Sequence, residues 1–119
     1  DMYTLLQNEH TNQHAKEAVD LFCYQVKKAI GALTTTLGGL DTLVFSGGIG
    51  EQSAPIRARI CSGLTYLGVA LDKAANASQS AVISSPARPV RVLVIPTDEN
   101  QIIAAEVVQA VASAHEGAT

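Results

Sequence analysis

Charge is scarce in this sequence and nowhere concentrated. Charged side chains make up 16% of the 119 residues, 8 basic against 11 acidic, for a net charge of −3. No basic cluster exceeds the pair Lys27-Lys28, so the cationic surface that would hold a phosphate backbone is missing and no nucleic-acid partner is expected. Long apolar runs are lacking too. None approaches the roughly 18–20 residues of a membrane span, so no membrane partner is expected. The opening DMYTLLQNEH has neither the basic start nor the apolar stretch of a signal peptide. Cysteine is confined to Cys23 and Cys61, which form no CxxC pair and no zinc cluster. Both fall in helical apolar patterns, where a free Cys acts as a small hydrophobe; no disulfide and a reducing, cytoplasmic setting are expected. The histidines are His10, His14 and His115, too few in ordered segments for a Ser-His-Asp or Cys-His arrangement. His10 and His14 are one helical turn apart, a spacing that suits a metal pair but also a solvated helix start. Methionine occurs only at position 2, after Asp1, so the sequence reads as a cut from a longer chain.

What is present is the material of a folded domain. Hydrophobic residues make up 47% of the chain, which argues against disorder, and the length suits one domain. No repeat or low-complexity tract is visible. Apolar residues at Ala15, Val19, Phe22, Val26, Ala29, Ile30, Leu33 and Leu37 recur at helical spacing, predicting a helix over 12–37. Thr11 or Asn12 would cap it and Gly38-Gly39 would end it. LDTLVF (40–45) ends in a β-favouring apolar run, expected to be a strand buried on both faces. SGGIG (46–50) reads as a turn, and a second helix should start near Ser53 with Pro55 in its first turn. Ile56, Ile60 and Leu64 are expected inside and Arg57 and Arg59 outside. YLGVALD (66–72) suits either a short strand or a packed loop. AVIS (81–84) is expected as a short strand, broken by SPARP, and VRVLVI (90–95) as the clearest strand. After Pro96, Thr97 or Asp98 would cap a last helix with Ile102, Ile103, Val107, Ala110 and Val111 inward. Strands alternating with helices imply an α/β layer with parallel strands.

Two polar features sit at strand ends, where ligands of such sheets bind. SGGIGEQS has three glycines in four positions, Gly47, Gly48 and Gly50. Their backbone can approach a ligand closely, and a following helix would favour a phosphate or polar sugar. A tight, ligand-free turn explains the spacing equally well. There is no GK[ST], hence no Walker A lysine. Gly48-x-Gly50-x-x-Ser53 approximates the dinucleotide fingerprint, with Asp72 downstream as its acidic residue. In PTDEN, Asp98 and Glu99 could simply complement a helix N-terminus, worth roughly 0.3–1 kcal/mol, or hold Mg²⁺ beside phosphates.

DMYTLL (1–6), FCYQVKKAIGA (22–32), DTLVFSGGIGEQSAPIR (41–57), GLTYLGVALD (63–72) and RVLVIPTDEN (91–100) resemble, in order and spacing, the C-terminal region of acetate kinases. The similarity runs from Asp1 to about Val108, and F-S-G-G-I-G-E and V-I-P-T-x-E are its strongest markers. The resemblance implies an α/β fold, the C-terminal half-domain of the actin-like ATPase (ribonuclease H-like, sugar-kinase) fold, with mostly parallel strands flanked by helices. Residues 1–119 would form a single domain fragment. It implies phosphoryl transfer from ATP to acetate, giving acetyl phosphate and ADP, with ATP/ADP and Mg²⁺ as cofactors. Gly47, Gly48, Ile49, Gly50 and Gln52 would lie against the adenosine, and Glu99 would serve the Mg²⁺ site and catalysis. The family usually has Asn where Gln52 stands, and often Asn in place of Asp98. The acetate pocket and the remaining catalytic groups would lie upstream, so the chain alone is expected to be inactive. Homodimers are implied, through the long first helix or an open sheet edge. A dinucleotide-binding module and a non-catalytic interaction domain are the alternative readings.

Overall fold

The helical part of the chain begins earlier than its patterning suggested. The computed structural model describes residues 1–97, and its first element is α1, Met2–Asn8. Asp1 caps this helix by accepting a hydrogen bond from the Thr4 amide at 3.0 Å. Met2, Leu5 and Leu6 share one face and pack against the core. The expected long helix is α2, Gln13–Leu37. Asn12 Oδ1 accepts from the amides of His14 (2.9 Å) and Ala15 (3.2 Å). Gly38 closes it in the left-handed region, φ 80°, where a side chain would be strained. Ala15, Val19 and Cys23 are buried, but Leu33 is 62% and Leu37 48% exposed. The apolar stripe thus outlasts the surface it packs on.

Two strands follow, β1 (Thr42–Ser46) and β2 (Arg91–Ile95). They pair in parallel, in register from Thr42↔Arg91 to Ser46↔Ile95. Parallel neighbours require a long crossover, here α3 (Gly48–Gln52), α4 (Ala54–Ser62), a 3₁₀ turn (Thr65–Leu67) and α5 (Lys73–Ala77). Burial of β1 on both faces is not found. Phe45 is buried, while Val44 is 38% exposed. Alternate side chains point to opposite faces, and among the described residues β1 pairs only with β2. In β2, Val92 and Val94 are buried.

The strand expected over 81–84 is reduced to isolated antiparallel bridges, Val82↔Leu93 and Leu71↔Ser84. The segment lies along β2, with the Ile83 amide donating to Val92 O and the Val94 amide to Ala81 O, both at 2.9 Å. It is too short for a ladder before Ser85-Pro86 turns the chain away. The ambiguous 66–72 is mostly loop, with the 3₁₀ turn at its start and the Leu71 bridge near its end. Helix α4 starts as expected, with Ser53 Oγ accepting from the Ile56 amide and Pro55 in the first turn. Ile56 and Ile60 join Val19, Cys23, Leu64, Val69, Ile83 and the β2 valines in one core. The last expected helix, with Ile102 to Val111 inward, lies outside the described residues.

Candidate functional site

Because β1 and β2 run parallel and in register, their carboxyl ends lie side by side. Ser46 Oγ donates to Ile95 O at 2.9 Å. Gly47–Gly50 leaves one strand end and Pro96-Thr97 the other, so the sheet joins the two polar features singled out in the sequence. The glycine segment is not an open turn, because Gly48 already begins α3. Gly47 (φ 79°) and Gly48 (φ 49°) occupy the region that disfavours side chains. Among the described residues a Cβ on Gly48 would meet nothing within 4 Å. On Gly47 it would lie 3.8 Å from Thr97 Cγ2, and on Gly50 3.3 Å from Phe45 Cδ1. Gly50 thus lets α3 close onto β1. Ile49 is half-buried and packs against the core. Gln52 is exposed, and its Oε1 accepts from the Tyr3 hydroxyl at 2.9 Å.

The residue that ties the strand ends together is one to which the sequence assigned no role. Glu51 Oε1 accepts from the Thr97 amide at 2.6 Å and from Thr97 Oγ1 at 3.1 Å. A carboxylate acceptor makes this pairing short and stronger than a neutral hydrogen bond. On the other side of α3 stands Arg57, expected at the surface but fully buried at 0% exposure. Its Nη1 donates to the carbonyls of Gly50 (3.1 Å) and Glu51 (2.7 Å) and to Gln79 Oε1 (3.2 Å). Nε donates to Asn76 Oδ1 at 2.8 Å, and Nη2 to Asn76 O at 3.0 Å. Asn76 in turn donates to Ala54 O at 3.0 Å. Burial pulls the Arg57 pKa below its ordinary value, but an arginine stays protonated in a protein. The buried cation is therefore solvated by carbonyl and amide oxygens. The planar fork reaches several of them at once, which an ammonium would not.

The signal for Arg57 was in the spacing. Arg57, Ile60, Cys61 and Leu64 fall at i, i+3, i+4 and i+7, one helical face; charge was given priority over position. Asp98 and Glu99 lie outside the described residues. Among the described residues no group of three or more His, Cys, Asp or Glu could hold a metal, and His10 and His14 are both exposed. Asp72, the acidic residue of the dinucleotide reading, caps α5 by accepting from the Ala75 amide at 3.0 Å. The strand that reading needs beside β1 is not there: β1's neighbour is β2. Cys23 and Cys61 are free and buried. No helix among the described residues is long and apolar enough to cross a membrane.

Parallel strands joined by a helical crossover, with both polar segments at the same end, define an α/β architecture consistent with the actin-like ATPase fold. Comparisons with known proteins agree. The model of the Acetokinase family matches residues 1–105. The acetate kinase of Rhodopseudomonas palustris (strain ATCC BAA-98 / CGA009) is 49% identical over 109 residues, 90% of this chain and 27% of that protein. The crystal structure of Porphyromonas gingivalis acetate kinase superposes with a TM-score of 0.77 at 32% identity, covering 93% of this chain and 29% of that one. A propionate kinase from Francisella tularensis gives 0.75 at 34% identity, over 82% of this chain and 26% of that one. The chain belongs to the acetokinase family. It spans about a quarter of the length of the curated relatives it matches.

Proposed function

We propose that residues 1–119 are the C-terminal, nucleotide-binding part of a carboxylate kinase that exchanges the γ-phosphoryl group between ATP and acetate, forming acetyl phosphate and ADP. The observation that carries this reading is the juxtaposition of the glycine segment and the Pro-Thr segment, joined through Glu51 and Thr97 at 2.6 Å. Gly47, Gly48, Ile49, Gly50 and Gln52 line the adenosine side, with Gly48 toward the nucleotide. Gln52 meets the ligand with an amide already engaged by Tyr3. Glu99 serves Mg²⁺ and catalysis. Phosphoryl transfer of this kind depends on positioning and on neutralising developing charge, so a fragment holding one end of the nucleotide lacks activity alone. The similarity to both acetate and propionate kinases supports a short carboxylate as the acceptor. This chain self-associates through the exposed face of α2 or the edge of β1 left unpaired among the described residues, and the whole protein is a homodimer. The free, buried cysteines fit a reducing, cytoplasmic setting.

The test is a calorimetric titration of the chain with MgADP, with NAD in parallel. Saturable MgADP binding that Gly48→Glu abolishes, with no NAD binding, is the expected result. NAD binding without MgADP binding would overturn the reading. An acetyl phosphate assay checks the second half: turnover by the pure chain would refute its inactivity alone.

A further inference from the structure

Helices α4 and α5 meet where the Asn76 amide donates to Ala54 O. Beside that meeting, against the loop that follows α4, lies a cleft of about 240 Å³. Neither the glycine segment nor Thr97 lines it. Its floor is apolar, with Cys61 and Val69 buried and Leu71 half-buried. Burial pushes the Cys61 thiol up to about 12, so it stays neutral there. Asn76 also lines the cleft, but its amide is committed, Oδ1 accepting from Arg57 and Nδ2 donating to Ala54 O. Ser62 Oγ donates to Arg59 O. What remains is the hydroxyl of Thr65 and the ammonium of Lys73, both on exposed residues at the mouth. Lys73 makes no ion pair among the described residues. The neighbouring Asp72 carboxylate accepts from the Ala75 amide as the cap of α5. No Asp or Glu lines the cleft.

We infer that this cleft binds a small amphipathic monoanion, an unbranched aliphatic carboxylate whose chain lies on the Cys61, Val69 and Leu71 floor and whose head meets Lys73 and Thr65. The inference does not rest on the proposed function. An apolar floor with a few polar groups at one end is the usual make-up of a small-molecule site, where the apolar part supplies affinity and the polar part orientation. The cleft is smaller than the roughly 300–1,000 Å³ of sites for drug-sized ligands, which limits the chain to a few methylenes. One ammonium and one hydroxyl suit a single negative charge. A phosphate monoester brings more acceptor oxygens than these two donors can satisfy, and an unpaired polar atom is costly to cover. A cationic head would face Lys73 with no carboxylate on the wall to offset it.

The test follows the Val69 and Leu71 methyl resonances in the full-length gene product that carries this chain, so that a carboxylate bound elsewhere on the protein is not counted. Hexanoate should move these resonances saturably. Butyrate, shorter by two methylenes, should bind about tenfold more weakly, at about fourfold for each buried methylene. Hexanamide has the same shape without the charge and should bind about fivefold more weakly than hexanoate, the scale of one exposed ion pair. Hexylammonium should bind more weakly still. In Lys73→Met, a change at an exposed residue, hexanoate should fall to the affinity of hexanamide. Ala58→Phe places a ring in the cleft and should remove the shifts for every ligand. The inference is overturned if hexanoate gives no saturable shift, if hexanamide binds as tightly as hexanoate, or if Lys73→Met keeps the wild-type preference for the anion. Lys73→Met decides it if Ala58→Phe does not fold.

Discussion

Arg57 and Arg59 stand two residues apart on α4 and hold two regions together by different means. Arg57 is fully buried and bonds only to oxygens without net charge, from Gly50, Glu51, Asn76 and Gln79. Arg59, on the far side of the helix, bonds only to carboxylates. Its Nη1 meets Glu9 Oε2 at 2.7 Å and its Nη2 meets Asp20 Oδ1 at 2.6 Å. The first network fixes the segment that leads into the candidate site. The second pins α1 and α2 onto α4. A buried cation solvated by dipoles cannot give up its partners to water without leaving them unpaired. A part-exposed ion pair can, and so contributes little. Charge alone does not distinguish the two arginines; helical spacing does, because Arg57 shares a face with Ile60, Cys61 and Leu64.

The largest effect should come from Arg57. Replacing it with Met leaves the carbonyls of Gly50, Glu51 and Asn76 and the Asn76 amide oxygen without their donor. We expect a loss of about 3 kcal/mol or more in urea denaturation of the chain. Arg57→Lys, which keeps charge but not the fork, should lose about 2 kcal/mol. Neither deficit should change with salt. A loss from Arg57→Met below about 1 kcal/mol would mean that water replaces the guanidinium and that the region is not sealed.

Each arginine also has a cysteine near it, and burial outweighs the cation in both. Burial pushes the Cys61 thiol up from 9.0 to about 12 against the pull of Arg57, and raises that of Cys23 despite Arg59. Since the folded value of Cys61 lies above the unfolded one, its contribution to stability is complete below about pH 9. It is lost as pH rises toward about 12. Denaturation midpoints should therefore fall through that window, and less so in Cys61→Ala. Cys61 should also resist alkylation at pH 8 until the chain unfolds. Rapid native-state labelling would contradict its burial.

Arg59→Met comes next, with an expected loss of about 1 kcal/mol or less at low ionic strength. Molar salt should reduce that loss by about half or more. The useful measurement is the pair of salt titrations on one plot, flat for Arg57→Met and falling for Arg59→Met. Parallel lines would erase the distinction between the two regions.

Much of this arrangement is legible in the amino-acid sequence. Helix α2 announced itself through period, an asparagine cap and a glycine stop, all local signals. Strand β2 did so through the recurring Val90, Val92 and Val94 between Pro89 and Pro96. The parallel pairing followed from the alternation of element types, and with it the meeting of the two polar segments. The failures were of another kind. Val44 was read as interior because apolar runs favour burial, but burial depends on what covers a face, and that is tertiary information. The segment 81–84 has strand composition without the length for a ladder. Arg57 was misplaced because a charge was taken to mean solvent, although Ile60, Cys61 and Leu64 share its face. Glu51 and Thr97 are 46 residues apart, and nothing local marks a pair that only the sheet register brings together. Family resemblance located the motif around Glu51 but gave that residue no task.

The smallest expected effect separates the two regions by acid. The hydrogen bond from Lys16, with further help from Arg59, holds the Asp20 carboxyl below its ordinary 3.8. A carboxyl whose folded pKa is depressed stabilises the fold above the ordinary value. That contribution is lost as pH falls through the depressed one. The stability difference between wild type and Asp20→Asn should thus be present at neutral pH and shrink only below 3.8. The difference between wild type and Arg59→Met should shrink in the same window, because protonation removes one of the charges Arg59 meets. The oxygens that Arg57 bonds do not titrate in acid, so the Arg57→Met deficit should persist down to about pH 3, as long as the chain remains folded. If the Asp20→Asn difference is instead constant with pH, the bond between Asp20 and Arg59 is not formed in solution. Arg59 would then hold α1 through Glu9 alone, leaving α2 attached to α4 only by its apolar face.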